Sequence, residues 1–277
     1  MTYVAMTVAG SDSGGGAGIQ ADLKTFQELG VFGTSALTAV TAQNTQGVHG
    51  VYPIEVDGVT AQMRAVLDDF NVSAVKTGML FSVAIIRAVG ETLRTYGSPI
   101  LIIDPVMIAK GGASLLLEEA VEALKTDLIP LATVITPNIP EAEVLAGMTI
   151  ETDADVVVAA ERILQLGVKA VVMKGGHRQK TDYAEDLFLS ANGERFTIRS
   201  EWINTKDTHG TGCTFSAALT ARMAQGMPIA DAVVDAKRFI QAAITDGLDL
   251  GAGHGPTNHW AYGRRSEAAQ KEVVFID

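Results

Sequence analysis

The sequence is poor in cysteine: Cys213 is the only one among 277 residues. A single thiol cannot close an intrachain disulfide, which points to a reducing compartment. Basic residues are also outnumbered, 21 Lys and Arg against 32 Asp and Glu, for a formal charge of −11. Nucleic acid and anionic membrane are thereby excluded as default partners, because each needs a basic surface. A phosphate-bearing ligand survives that argument only if a local cation holds it. No apolar run approaches a membrane span, and Met1 to Thr7 lacks the basic start and long apolar stretch of a secretory signal. A cytoplasmic location is expected.

Several catalytic signatures are missing too. There is no C-x-x-C and no H-E-x-x-H, and the five histidines are scattered, so no metal cluster is expected. The G-x-S-x-G turn of a Ser-His-Asp hydrolase is absent. The glycine-rich loop Gly10 to Gly18 stands between a strand-like run and a helix-like one. It lacks the Gly-Lys-Ser/Thr ending of a P-loop, and no acid follows at the spacing of a dinucleotide fold. It shapes a small-molecule pocket, with Asp12 or Asp22 as polar contacts, or it is a plain strand-to-helix turn. No proline- or serine-rich linker divides the chain, and one domain over 1–277 is expected.

What is present is alternation. Strand-like runs (Val4 to Ala9, Val31 to Val40, Ala74 to Lys76, Ile100 to Ile103, Val134 onward, Ala170 to Lys174) exchange with amphipathic stretches (Ile19 to Leu29, Val59 to Phe70, Ser82 to Tyr96, Val121 to Leu128, Val156 to Leu164). Ile229, Val233, Ala236, Ile240, Ala243 and Ile244 give the cleanest helical stripe, and 182–202 reads as a hairpin turning at Ala191 to Gly193. The order implies an α/β fold, a mostly parallel sheet covered on both faces. The tail 251–277 looks irregular.

Such sheets bind ligands at the carboxyl ends of their strands. Polar residues stand at those positions: Gln43 and Asn44 in a polar loop, Asp104, Asn138 and Glu141 between fixed prolines, and Lys174. Each has a plain reading as a turn or solvated cap. Near the end of the third quarter, Asp207-Thr-His-Gly-Thr-Gly-Cys213 leads into an apolar helical spacing of Phe215, Ala218, Leu219 and Met223. Gly210 and Gly212 let the backbone approach a ligand, and a helix N-terminus favours an anion. An anion hole over 210–213, a lysine, two acids and an asparagine amount to a phosphoryl-transfer set, provided the strand ends meet.

Six segments in order sharpen this: Ala9 to Phe26, Lys76-Thr-Gly-Met-Leu80, Asp104-Pro-Val-Met107, Ile135-Thr-Pro-Asn-Ile-Pro-Glu-Ala142, Met173-Lys-Gly-Gly-His177 and Thr208 to Ala218. Together they closely resemble the bacterial hydroxymethylpyrimidine/phosphomethylpyrimidine kinases of thiamine synthesis, in the ribokinase superfamily, over residues 3 to 260. The resemblance implies a ribokinase-like three-layer α/β/α fold with a mostly parallel central sheet and a minimal lid. It implies ATP-dependent phosphorylation of 4-amino-5-hydroxymethyl-2-methylpyrimidine to its monophosphate and then its diphosphate. Gln43 would hold the pyrimidine edge, with Gly10, Asp22, Val40 or Thr41, Met79 and Val106 around the ring. Gly210, Thr211 and Gly212 would form the anion hole, Lys174, Thr208 and Asn138 would contact ATP, and Asp104 and Glu141 would order Mg²⁺. Cys213 stands where much of the superfamily has an aspartate base, and a helix N-terminus favours its thiolate. A homodimer is implied as well. A pyridoxal or pyridoxine kinase of the same branch, and a non-catalytic pyrimidine sensor, are the competing readings.

Overall fold

The apolar runs become strands because both of their faces are covered. Val4–Asp12 (β1) is buried at all nine positions, the mark of a strand between two helical layers. A computed structural model describes residues 2–97, 99–107, 118–175, 182–265 and 273–276. Phe32–Asn44 (β2), Val72–Thr77 (β4), Ile100–Ile103 (β5), Val134–Ile135 (β6) and Ala170–Lys174 (β7) join β1 in a parallel arrangement. Gly47–Pro53 (β3) adds antiparallel beside β2. On the far side Tyr183–Ser190 (β8), Arg195–Glu201 (β9) and Val274–Ile276 (β10) continue antiparallel. The sheet order is β10-β9-β8-β7-β6-β5-β4-β1-β2-β3.

Alternate strand residues feed two cores. Met6, Val8, Val75, Leu101, Ile103, Ile135 and Val171 face one layer. That layer holds Val56–Leu67 (α2), Val83–Thr95 (α3), Glu118–Ala123 (α4), Ile139–Ala146 (α5) and Asp153–Leu164 (α6). Ala5, Ala74, Ile102, Val134, Ala170 and Val172 face the other. There lie Gly18–Glu28 (α1), Thr211–Ala224 (α7), Ile229–Thr245 (α8) and the short Ala261–Arg264 (α9). This is the ribokinase-like three-layer α/β/α arrangement.

Three expectations change. Gln43 and Asn44 are in β2, not in a loop, because β3 pairs with them; β3 escaped notice since its sequence, Gly-Val-His-Gly-Val-Tyr-Pro, has weak apolar alternation. The helix expected from Val59 begins at Val56 and ends at Leu67. The tail is organised: Thr257, Asn258 and His259 are buried, and β10 closes the sheet edge.

β1 is the switch point, since β2 leaves on one side of it and β4 lies on the other. Ligands bind at such points, outside the carboxyl ends of the strands. The junction is pinned by an ion pair. Lys76 of β4 places Nζ 2.7 and 2.9 Å from the two carboxylate oxygens of Asp22 in α1, both side chains fully buried. Thr7 of β1 donates to the same carboxylate at 2.6 Å. Although burial works against the lysine's charge, Asp22, and behind it Cys213 and Asp104, raise its pKa.

Removing one partner would strand the other charge in the core. Lys76→Met is expected to cost about 3–5 kcal/mol in urea unfolding, and adding Asp22→Asn should recover much of the loss. A single variant as stable as the parent would contradict this.

Candidate active site

The anion loop is built from close contact between two glycine segments. Gly210, at the start of α7, has φ +82, and a Cβ there would stand 1.8 Å from the Gly16 carbonyl oxygen. The tail holds the loop from behind: His209 N–H donates to Gly255, and Thr257 N–H donates to His209. Thr211 turns its hydroxyl back to the Thr208 carbonyl at 2.8 Å, leaving the first N–H groups of α7 at the mouth. Beneath α7, Thr214 meets the buried His259 imidazole at 3.1 Å, and burial pushes that ring's pKa down to about 4.

Opposite the loop, the strand ends converge. Lys174, closing β7, places Nζ 3.0 Å from the buried carboxylate of Asp104 just after β5. A Cβ at Gly212 would lie 3.2 Å from that Nζ and 3.4 Å from Asp104 Oδ2, so only bare backbone leaves room there. Burial opposes the charge of Lys174, but Asp104 and Glu141 raise its pKa. Asn138 and Glu141 form a capping box at the start of α5, each side chain accepting the other's N–H at 2.9 Å. Burial pushes the Glu141 acid up to about 7; Lys174 pulls it down and Asp104 raises it. Asn138 bridges Lys174 through the backbone, which sets these four groups side by side.

Cys213 is half-buried where α1 and α7 both begin. Burial pushes its thiol up to about 11, with Lys76 and the Gly18 N–H pulling down and Asp104 and Asp22 pushing up. The thiolate expected from the helix N-terminus alone is thus not the resting form. Desolvation, three neighbouring charges and one backbone N–H decide, and a single-sequence reading could not place them.

The ring-binding residues divide. Gly10 and Met79 are neighbours: a Cβ on Gly10 would stand 2.6 Å from Met79 Cε. Val106 follows Asp104 on the same strand end. Gln43 and Thr41 share one face of β2, 3.2 Å apart. Val40 projects from the other face and is 39% exposed, so its side chain is not with Gln43. Asp22 is also corrected: fully buried, its oxygens go to Lys76 and Thr7 rather than to a ring.

Asp12, expected as a polar contact of the glycine loop, turns its carboxylate onto that loop: with burial opposing, it is held below the usual carboxylate range by His209 at 2.8 Å and by loop N–H groups including Gly14 and Ala17. Sequence reading missed three contributors. Ser216, one turn into α7, reaches Asp104 at 3.4 Å. Asp186 of β8 accepts the Gly175 N–H at 2.9 Å and pairs with the buried Lys237 of α8 at 2.8 Å, fixing the chain beyond Lys174. Isolated polar residues in apolar helices, such as Lys237, were the one available signal.

The hard carboxylate oxygens of Asp104 and Glu141, beside Lys174 and the start of α7, are the donors that would suit a magnesium ion. Among the described residues no group of three or more His, Cys, Asp or Glu could hold a metal ion. No helix among those residues is long and apolar enough to cross a membrane.

Comparison with known proteins bears on this geometry. The family model described as phosphomethylpyrimidine kinase matches residues 12–258. A hydroxymethylpyrimidine/phosphomethylpyrimidine kinase from Haemophilus influenzae is 55% identical over 261 residues, covering 94% of this chain and 97% of that protein. A pyridoxine kinase from Bacillus subtilis is 46% identical, covering 94% and 96%. A Staphylococcus aureus pyridoxal kinase in complex with AMP-PCP superposes with a TM-score of 0.91 at 35% identity, covering 100% and 99%.

Two variants test the site. Gly210→Ala should abolish turnover, since a methyl group cannot enter a 1.8 Å gap and φ +82 is unfavourable for alanine; wild-type kcat would refute the packing argument. For Glu141 the sign is set by its raised pKa. Its stabilising contribution, full below the unfolded value of 4.5, is lost as pH rises through about 7. Glu141→Gln keeps an oxygen for the Asn138 N–H, so it should raise Tm near neutral-to-alkaline pH and much less in acid. A pH-independent change would refute it.

Proposed function

The chain belongs to the phosphomethylpyrimidine kinase family, and from that premise we propose how its residues carry out two successive phosphorylations. It is a kinase of thiamine biosynthesis, acting on 4-amino-5-hydroxymethyl-2-methylpyrimidine and then on its monophosphate. The observation that carries the mechanism is the approach of the α7 N-terminus to a buried ion pair. A Cβ on Gly212 would stand 3.2 Å from Lys174 Nζ and 3.4 Å from Asp104 Oδ2.

ATP enters with its terminal phosphates at this end of α7. Lys174 and the α7 N–H groups bear the charge that spreads over the phosphoryl oxygens during transfer. Asp104 and Glu141 would hold Mg²⁺, which would supply positive charge to offset that of the phosphates. That charge would also favour ionised Glu141, whose acid burial pushes up to about 7. Asn138 and Thr208 line the nucleotide side. Gly10, Met79, Gln43 and Val106 seat the ring so that its hydroxymethyl group points to Cys213. This positioning supplies most of the rate, because the loose transition state of phosphoryl transfer asks little of a base.

Cys213 Sγ accepts the alcohol proton as the bond to phosphorus forms. Its thiol must first ionise, and Lys76 is the positive charge behind it that favours this. The second acceptor is different. A phosphate monoester is already largely dianionic at neutral pH, with a pKa of about 6, and has no proton that must leave. One site therefore serves two acceptors, and only the first needs the thiol. A cytoplasmic homodimer is the setting in which we place this activity.

A second reading, phosphorylation of pyridoxine or pyridoxal, is favoured by the 46% identity to a pyridoxine kinase. ADP release measured with the pyrimidine alcohol, its monophosphate and pyridoxine separates the two. Highest kcat/KM on pyridoxine would reverse the assignment, and binding without ADP release would make the protein a sensor. Cys213→Ala should lower kcat/KM on the alcohol by about 10²–10⁴-fold. The monophosphate step and ATP affinity should change far less. Equal losses on both acceptors, or full activity on the alcohol, would remove Cys213 from the base role.

A further inference from the structure

His209 lies outside the phosphoryl-transfer set, yet it touches the residue that reads the substrate. Its Nε2 is 2.8 Å from Asp12 Oδ2 and 3.2 Å from the Gln43 carboxamide nitrogen. At the other end of that carboxamide, Oε1 is 3.2 Å from Thr41 Oγ1. The hydrogens available decide what these contacts can be. The Asp12 carboxylate already takes N–H groups from Gly14, Gly16 and Ala17 and only accepts, so His209 Nε2 must carry a hydrogen toward it. That sets N–H against the Gln43 NH₂. The Thr41 hydroxyl has one hydrogen, and the Ser11 carbonyl takes it at 2.8 Å. Nothing is left for Thr41 to donate to Gln43 Oε1.

Both conflicts vanish together if the carboxamide is turned by half a revolution, since its two ends have nearly the same shape. Then His209 Nε2–H is shared between Asp12 and the Gln43 carbonyl, and the Gln43 NH₂ donates to the free lone pair of Thr41. We propose that His209, held by Asp12, is a specificity-determining positioning residue: with Thr41 it fixes the sense in which Gln43 presents its donor and acceptor to the ring. One N–H and one carbonyl lone pair then remain for the ligand in a set order. That pair matches an aromatic edge carrying an amino donor beside a ring-nitrogen acceptor, and mismatches a ring without the amino group. Because His209 directly precedes Gly210, the same side chain ties edge reading to the anion loop. The substrate part of this proposal rests on the pyrimidine reading above; the sense of the carboxamide does not.

The test has two arms. In the first, the full-length protein labelled with ¹³C and ¹⁵N in glutamine is compared with His209→Leu and Thr41→Val by NMR, without substrate. His209→Leu should move the Gln43 ¹³Cδ resonance, and Thr41→Val should move its ¹⁵Nε2 and amide protons. The reverse pattern would overturn the assigned sense, and retained near-wild-type spectra elsewhere report folding. In the second arm, ADP release is followed with the pyrimidine alcohol and with pyridoxine. His209→Leu should raise KM for the pyrimidine by about tenfold more than KM for pyridoxine, the scale of one or two hydrogen bonds, while any loss of kcat from loosening the anion loop should be common to both alcohols. His209→Gln, which restores N–H donors, should recover most of the loss. Equal losses on both alcohols, or no change in their ratio, would overturn the specificity role. Should His209→Leu fail to fold, Thr41→Val carries both arms, with the same narrowing of preference expected. A wild-type protein inactive on the pyrimidine would sink the substrate reading, and the NMR arm would still decide the carboxamide's sense.

Discussion

The molecule depends on one close approach: the backbone of Gly210 against the carbonyl of Gly16. These segments are far apart in sequence, one after β1 and one before α7, and no side chain fits between them. Their contact brings the start of α7 over the switch point of the sheet at β1, which has β2 on one side and β4 on the other. Asp12 and His209 fasten the same pair of segments by hydrogen bonds, and the tail at Gly255 and Thr257 holds His209 from outside. With the loop so placed, Gly212 stands against Lys174 and Asp104 at the ends of β7 and β5.

Charge at this end of the sheet is balanced rather than merely positive. Two lysines, Lys76 and Lys174, are set among Asp22, Asp104 and Glu141, and each lysine is held charged by a buried acid. A chain of formal charge −11 thus keeps local cations beside the proposed phosphate loop. Burial governs the two displaced titrations. It pushes the Glu141 acid up to about 7 although Lys174 pulls it down, and it keeps Cys213 a thiol although Lys76 favours the thiolate.

The same frame serves the proposed recognition. Gln43, assigned there to the ring edge, has its freedom taken by Thr41 on its own strand and by His209 on the proposed anion loop. Substrate edge and phosphate loop are thus one hydrogen-bonded unit. Members of a family that share the loop can differ in substrate through such neighbours without altering the phosphoryl-transfer groups.

The sequence by itself determined the layered α/β class, since buried parallel strands need continuous apolar runs and their helices need one apolar face. It left the two glycines before an apolar helix open between an anion loop and an ordinary turn, and it marked Asp104, Asn138, Glu141 and Lys174 by their places after strands. Tertiary structure alone decided which acid faces which cation. Asp22 looked like a ligand contact and is the buried partner of Lys76; Val40 is near Gln43 in the chain and on the other face of β2. The pairing of β3 made a strand of a stretch that reads as a loop. The Asp12–His209 contact, Ser216 against Asp104 and the Asp186–Lys237 pair carry no local signal, because the partners lie tens to hundreds of residues apart. Periodicity reports what a segment does with its own neighbours, whereas a buried charge or a carboxamide's orientation is set by groups that meet only when the chain has folded.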